Sequence, residues 1–299
     1  MIQTIDGIQR QIKSVNSLKS IVRTMKTLAA VSIGPYERAV QSLTDYFRSI
    51  EMGWIALLKN YDPGLLNLLS EETPGGTGVV VFGSDQGMVG AFNDNLVNYV
   101  VRHISEYPEK RIIWPIGERV HLLLSDLGFP LEDAINTPDS VDAIPNLMSQ
   151  LLCEIEEKRE TGKISSVVLF YNRTDLKYGF ESVREKLIPL EKKWIASLTN
   201  EAWPTKMIPQ FIGGERPMIS ALIREYLFVE IFKACAKSAA SEHATRLAAM
   251  QRAEKKIDDL SEELRAAFNQ KRQSTIMEEL FDLISGFEVL SGKVPCKKT

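Results

Sequence analysis

From His243 to Ile284 the chain alternates charged residues with small or apolar ones and holds neither glycine nor proline. The unbroken run is longer still. After Pro217 the next helix breaker is Gly286, a span of roughly 68 residues, or about 100 Å as one helix. Charges recur every few positions, so no stretch of about 20 apolar residues is available to cross a bilayer. No internal repeat of fixed period is present either. The pattern that remains is a coiled coil: Met250, Ala253, Ile257, Leu260, Leu264 and Ala267 fall at alternating spacings of three and four. The seam is rich in small residues and then turns polar at Lys271 and Ser274.

The other end has the same rhythm. Ile5, Ile8, Ile12, Val15, Lys19, Val22, Met25 and Ala29 form a second seam. Up to Ile33 the only acid is Asp6, against Arg10, Lys13, Lys19, Arg23 and Lys26. Two readings of this basic end stay open: a solvated helix face, or a surface that meets an acidic partner. Gly34-Pro35 interrupts the pattern, and proline inside a helix costs roughly 3 kcal/mol. A kink or short break is expected there, with helix resuming over Tyr36–Leu58.

Between the helices the period changes. ETPGGTG marks a boundary by its turn residues. Strands are predicted at Val79–Gly83, Arg111–Ile116 and Ser165–Tyr171. Helices are predicted at Phe92–Ser105, Glu118–Leu127 and Ser140–Arg159. Such alternation describes a small open α/β sheet. A less regular stretch follows Tyr178. The expected fold is an α/β domain inserted between long N- and C-terminal helices that form an antiparallel coiled coil. Its parts are an N-terminal helix over 1–60, the α/β domain over 75–215, a C-terminal helix over 216–290 and a tail over 291–299. If the two helices pair, the α/β domain is expected at one end of a rod.

Composition changes little in this picture. The chain has 299 residues, 44% hydrophobic and 25% charged, as a soluble globular protein does. A net charge of −3 gives no reason to expect nucleic-acid binding. Cys153, Cys235 and Cys296 have no metal or disulfide spacing and point to a reducing compartment. The N-terminal MIQTIDGIQRQI is not a signal peptide.

One short motif resembles a phosphate loop, VFGSDQGMVGAFN over residues 81–93. Its Gly83, Gly87 and Gly90 match neither GxGxxG nor GxxxxGK[ST], no lysine follows, and Asp85 would repel a phosphate. A structural turn joining strand to helix is the better reading. His103, His121 and His243 are scattered, and Asp258-Asp259 and Glu262-Glu263 lie among basic residues as exposed helix ion pairs do. No catalytic residue, metal ligand or cofactor is expected.

Three motifs in order carry a family resemblance. Ser241-Glu242, Ala244, Arg246, Ala249-Met250, Ala253, Asn269, Arg272-Gln273, Ile276, Glu279-Leu280, Ile284 and Gly286 match the C-terminal helix of F-type ATP synthase gamma subunits. Ile21, Met25, Leu28, Ala29 and Ala30 resemble that family's N-terminal motif. Ser84-Asp85, Gly87, Gly90, Phe92-Asn93 and Asn95 resemble its central one. Departures are Gln86 for a basic residue, Val89 for a cysteine, Ser32 for a lysine and Met277 for a threonine; they point to a divergent branch, such as the alternate enzymes encoded by a second F-type operon in some bacteria.

The resemblance implies a non-catalytic central shaft, which would couple ion-driven turning of the membrane rotor ring to conformational change at catalytic subunits. Its partners would be the ring of alpha and beta subunits, the epsilon subunit and the c-subunit ring. It would meet the inner (cell) membrane only through partners, on the cytoplasmic side. Rotor–stator contacts would fall to Arg23, Met25, Arg272, Gln273 and Glu279. Two other classes stay open on the residues themselves: a coiled-coil adaptor with an α/β head, and an α/β enzyme with helical arms.

Overall fold

The computed structural model describes residues 4–60, 75–107, 110–175, 179–209 and 214–290; the tail over 291–299 lies outside them. Two long helices frame it, α1 over Ile5–Asn60 and α6 over Glu215–Leu290. Between them come β1 (Gly76–Phe82), α2 (Phe92–Ile104), β2 (Arg111–Ile116), α3 (Glu118–Asp126), α4 (Ile144–Glu160), β3 (Ile164–Asp175), β4 (Gly179–Ile188) and α5 (Lys192–Asn200). Contacts divide the chain into two units, Met1–Thr27 with Met250–Thr299, and Leu28–Ala249.

The larger unit is built on a four-stranded sheet of order β2-β1-β3-β4. β1 runs parallel to β2 and β3, while β3 and β4 are antiparallel. Every residue of β1 is buried, as a central strand requires. Alternate side chains serve opposite faces. Val79 and Val81 meet Leu96, Val100, Val120 and Leu124 from α2 and α3. Val80 and Phe82 join a second core with α4, which also takes Tyr36 from α1 and Leu227, Ile231, Cys235 and Ala240 from α6. The sheet and its own helices cover only one face and part of the other; the long helices complete the core. A third cluster packs Ile50, Trp54 and Leu57 of α1 against Ile195 and Leu198 of α5 and Val229 of α6.

β4 and α5 lie in the stretch read as irregular. β4 is an edge strand of mixed charge whose apolar residues, Phe180, Val183, Leu187 and Ile188, do not alternate, so it has no period-two signature.

In the smaller unit the two helices pair antiparallel: Lys19 bonds Asp258, while Arg23 and Lys26 bond Glu254. The N-terminal seam lies where its spacing places it, with Ile8 and Val15 buried. The C-terminal seam needs one correction. Leu260 is 44% exposed and Ser261 only 8%. The inward row therefore runs Met250, Ile257, Ser261, Leu264, which keeps the heptad spacing but uses the position after Leu260 in place of Leu260 itself.

The break expected at Gly34-Pro35 is absent, since α1 continues through Pro35. Pro35 is exposed and Val31, whose carbonyl loses its partner, lies on the same wet side. Water can take the freed carbonyl, and burial of the adjacent Tyr36 offsets the loss. Replacing Pro35→Ala should restore the helix bond and raise the unfolding free energy by about 1–3 kcal/mol, read by urea denaturation.

Candidate functional site

The glycine-bearing loop after β1 is organised by Asp85. Its Oδ1 accepts the backbone N–H of Glu118 at 3.0 Å, at the start of α3. Its Oδ2 accepts the backbone N–H of Thr137 at 2.9 Å and the Thr137 hydroxyl at 2.6 Å. The carboxylate thus occupies the helix N-terminus where an anion would otherwise bind. Behind it, Asn93 Oδ1 accepts the Ser84 N–H at 3.0 Å, and Asn93 Nδ2 donates to Ser84 Oγ at 2.8 Å, both buried. A Cβ on Gly83 would come within 2.6 Å of Val120 Cβ, so that glycine lets β1 and α3 approach. Gly90 turns the chain with φ 60°, whereas a side chain on Gly87 would meet nothing. The loop joins β1 to α2 and is tied through Asp85 to the start of α3.

Beside it lies a recess of about 140 Å³, lined by Tyr36, Asp85, Asp139, Glu242, His243 and Arg246 among others. Arg246 donates to Glu242 at 2.6 Å, one helical turn apart, and both are buried. Burial pushes the Glu242 carboxyl up against the pull of Arg246. His243 is driven down to about 4, first by burial and then by the Arg246 charge. It is therefore neutral near pH 7, and its Nδ1 faces Arg246 at 3.4 Å as an acceptor. Tyr36 stacks on the His243 ring with centroids 5.6 Å apart and donates its hydroxyl to the Pro138 carbonyl at 3.1 Å. Burial, then Cys235, raises Tyr36 to about 12. Three acids against one arginine make the recess a poor seat for phosphate. Among the described residues no group of three or more His, Cys, Asp or Glu could hold a metal ion.

The residues assigned to partner contact lie elsewhere. Arg23 is not free: its Nε donates to Glu254 at 2.9 Å, and Lys26 bonds the same carboxylate. These two bonds, Lys26's the larger, hold the Glu254 carboxyl below its usual range. Much of the basic N-terminal face is thus spent within the coil. Arg10 and Lys13 form no ion pair among the described residues and remain exposed. Met25 is half-buried, while Arg272, Gln273 and Glu279 are exposed. From residue 276 onward, Ile276, Met277, Leu280, Phe281, Leu283, Ile284 and Phe287 are all exposed, an apolar end of α6. The sequence contained this feature as an apolar stripe on one helix face, opposite Glu278, Glu279 and Asp282, a pattern that signals burial of that face. Glu242 and Arg246 stood in it as motif residues, four apart; their pairing with Tyr36 and His243 needed the fold.

Residues 4–290 match the ATP synthase family, and the chain belongs to it. Within that family its relatives are gamma chains. It is 26% identical over 295 residues to the ATP synthase gamma chain of Bacteroides fragilis, covering 95% of this chain and 98% of that one. To the gamma chain of Clostridium botulinum strain Hall it is 24% identical over 294 residues, covering 94% and 96%. Its fold resembles a chain of the Euglena gracilis mitochondrial ATP synthase, in a structure of OSCP, F1 and c-ring, with TM-score 0.62 and 18% identity, covering 99% and 98%. A chain of the Tetrahymena thermophila central stalk and c-ring matches with TM-score 0.53 and 20% identity, covering 78% and 99%. The family match spans both long helices and the α/β unit together, which leaves the adaptor and enzyme readings without support.

Two measurements check the site. Asp85→Ala removes three bonds to a charged acceptor and should lower the unfolding free energy by about 2–3 kcal/mol in urea denaturation of the whole chain. His243 has a folded-state pKa below its unfolded value, so the unfolded chain binds the extra proton between pH 6.5 and about 4. Stability contributed by the neutral ring is complete above pH 6.5 and is lost as pH falls through that window. His243→Gln should therefore flatten the fall in melting temperature over pH 6.5 to 4 relative to the unsubstituted chain.

Proposed function

We propose that this chain is the central shaft of an F-type ATP synthase, a non-catalytic subunit that couples turning of a membrane rotor ring to conformational change in catalytic subunits. The observation that carries the reading is the family match over residues 4–290, which takes in the coil, the α/β unit and the apolar end of α6. Its partners are the alpha and beta subunits, the epsilon subunit and the ring of c subunits. Among the described residues no helix is long and apolar enough to cross a membrane. The chain accordingly reaches the membrane through those partners, on the cytoplasmic side of the inner (cell) membrane.

The exposed end of α6 supports this role. Seven large apolar side chains within one helical stretch would be a liability in water and suit a sleeve formed by other subunits. A shaft biases conformational equilibria by contacting its housing differently at each angle. Exposed ion pairs are worth about 0–1 kcal/mol each, weak enough for contacts to be made and released. We assign Arg272, Gln273 and Glu279 to a meeting with a catalytic-subunit loop, where the planar Arg272 fork can bond carboxylate or carbonyl groups. Met25 is assigned to the foot of the catalytic subunits. Arg23 contributes there by holding Glu254 and the coil's register. We place the chain in a divergent branch of the family, on its departures at Ser32, Gln86, Val89 and Met277.

The test is reconstitution of the complex with ATPase rate and ion pumping measured together. Arg272→Ala with Gln273→Ala should leave the subunit folded, since exposed helix positions seldom cost more than about 0.5 kcal/mol. ATP hydrolysis should nevertheless fall or lose its link to pumping. Met25→Lys should permit assembly yet lower the ions moved per ATP. Unchanged rate and pumping ratio in both variants would remove these residue assignments.

A further inference from the structure

In the larger unit both long helices lie on the sheet largely through apolar contact. α1 contributes Ala39, Val40 and Leu43, and α6 contributes Ala234, Ala236, Ala239 and Ala240 among others. Apolar burial resists separation but has no preferred direction within the surface. An alanine-rich face is smooth, so a helix packed by it can creep or roll at small cost. Hydrogen bonds are directional and weaken steeply when the angle changes. Among the described residues, two side-chain hydrogen bonds run from the long helices to the carboxyl edge of β1 and the segment after β2. Ser238 of α6 donates to the Phe82 carbonyl at 3.1 Å, fully buried. Tyr36 of α1 donates to the Pro138 carbonyl, also at 3.1 Å.

Both acceptors are fixed. Phe82 is held in register with Ile116 on one side and Tyr171 on the other. Pro138 follows Thr137, which Asp85 grips through both N–H and hydroxyl. The Tyr36 anchor also stands next to Pro35, where α1 lacks one rung of its own ladder and is locally softer. The anchor and the soft turn coincide.

We infer that Tyr36 and Ser238 are positioning residues that key the rotational setting of α1 and α6 on the sheet, so that twist applied to the α/β unit enters both helices without slip. This rests on the rotor reading above. Both keys are buried; they act through the stiffness of the joint.

The experiment uses the assembled complex with its stator fixed and a bead on the α/β unit, attached through exposed Cys153 after Cys296→Ser. With the shaft stalled, the angular spread of the bead reports torsional compliance. Tyr36→Phe with Ser238→Ala removes two hydroxyls and keeps the ring and the close packing. ATPase rate and melting temperature should stay near those of the unsubstituted complex, while the spread widens by about twofold, the scale of losing two directional bonds from an otherwise intact contact. Ser238→Thr, which keeps a hydroxyl, should restore part of the stiffness. If the double variant does not assemble, the single Tyr36→Phe is read the same way, with a smaller widening expected. A spread unchanged by removal of the hydroxyls overturns the inference while leaving the rotor reading intact. An unsubstituted complex that hydrolyses ATP without turning the bead would overturn both.

Discussion

A sheet whose central strand is buried on both sides must be covered twice, and most of this architecture follows from how the second cover is found. The chain between the long helices supplies α2 and α3 for one face. For the other it supplies only α4, so Val80, Phe82, Trp114 and Ile116 draw in the inner parts of α1 and α6. Each apolar side chain fully buried there is worth about 1.5–3 kcal/mol. Two helices far apart in sequence are thereby committed to the same surface before any pairing between them is considered.

That commitment separates tasks along each helix. On α6 the residues that meet the sheet include Leu227, Ile231, Ala234, Ala236 and Ala240, all buried. Farther along, Lys19, Arg23 and Lys26 face Asp258 and Glu254, and the seam carries Ser261. At the far end of α6 the surface is again apolar, but exposed. One helix therefore reads in turn as core, coil and unpartnered apolar end. The backbone is continuous through all three.

Much of this was legible in the residues. The long glycine-free run marked α6, the three-four seam marked α1, the change of period marked β1, β2, β3 and their helices, and the acid inside the glycine loop argued against phosphate. What escaped has physical causes. β4 is a polar edge strand without alternation. The continuity of α1 through Pro35 depends on which side of the helix faces water, and sequence spacing does not say. The bonds of Arg23 and Lys26 to Glu254 depend on where that acid falls on the opposite helix. The Tyr36, His243 and Arg246 cluster joins residues more than two hundred positions apart, so only the fold could assemble it.

The shared core also sets an order of events during synthesis. At about 5–20 residues per second a ribosome releases a chain of this length over tens of seconds. All four strands are complete by Ile188, so from there until Leu227, Ile231 and Cys235 are made, part of one apolar face of the sheet is uncovered. A polypeptide truncated before them cannot close its core and remains exposed to proteases and chaperones. Closure of this core therefore waits on residues of α6 that are synthesised after every strand of the sheet.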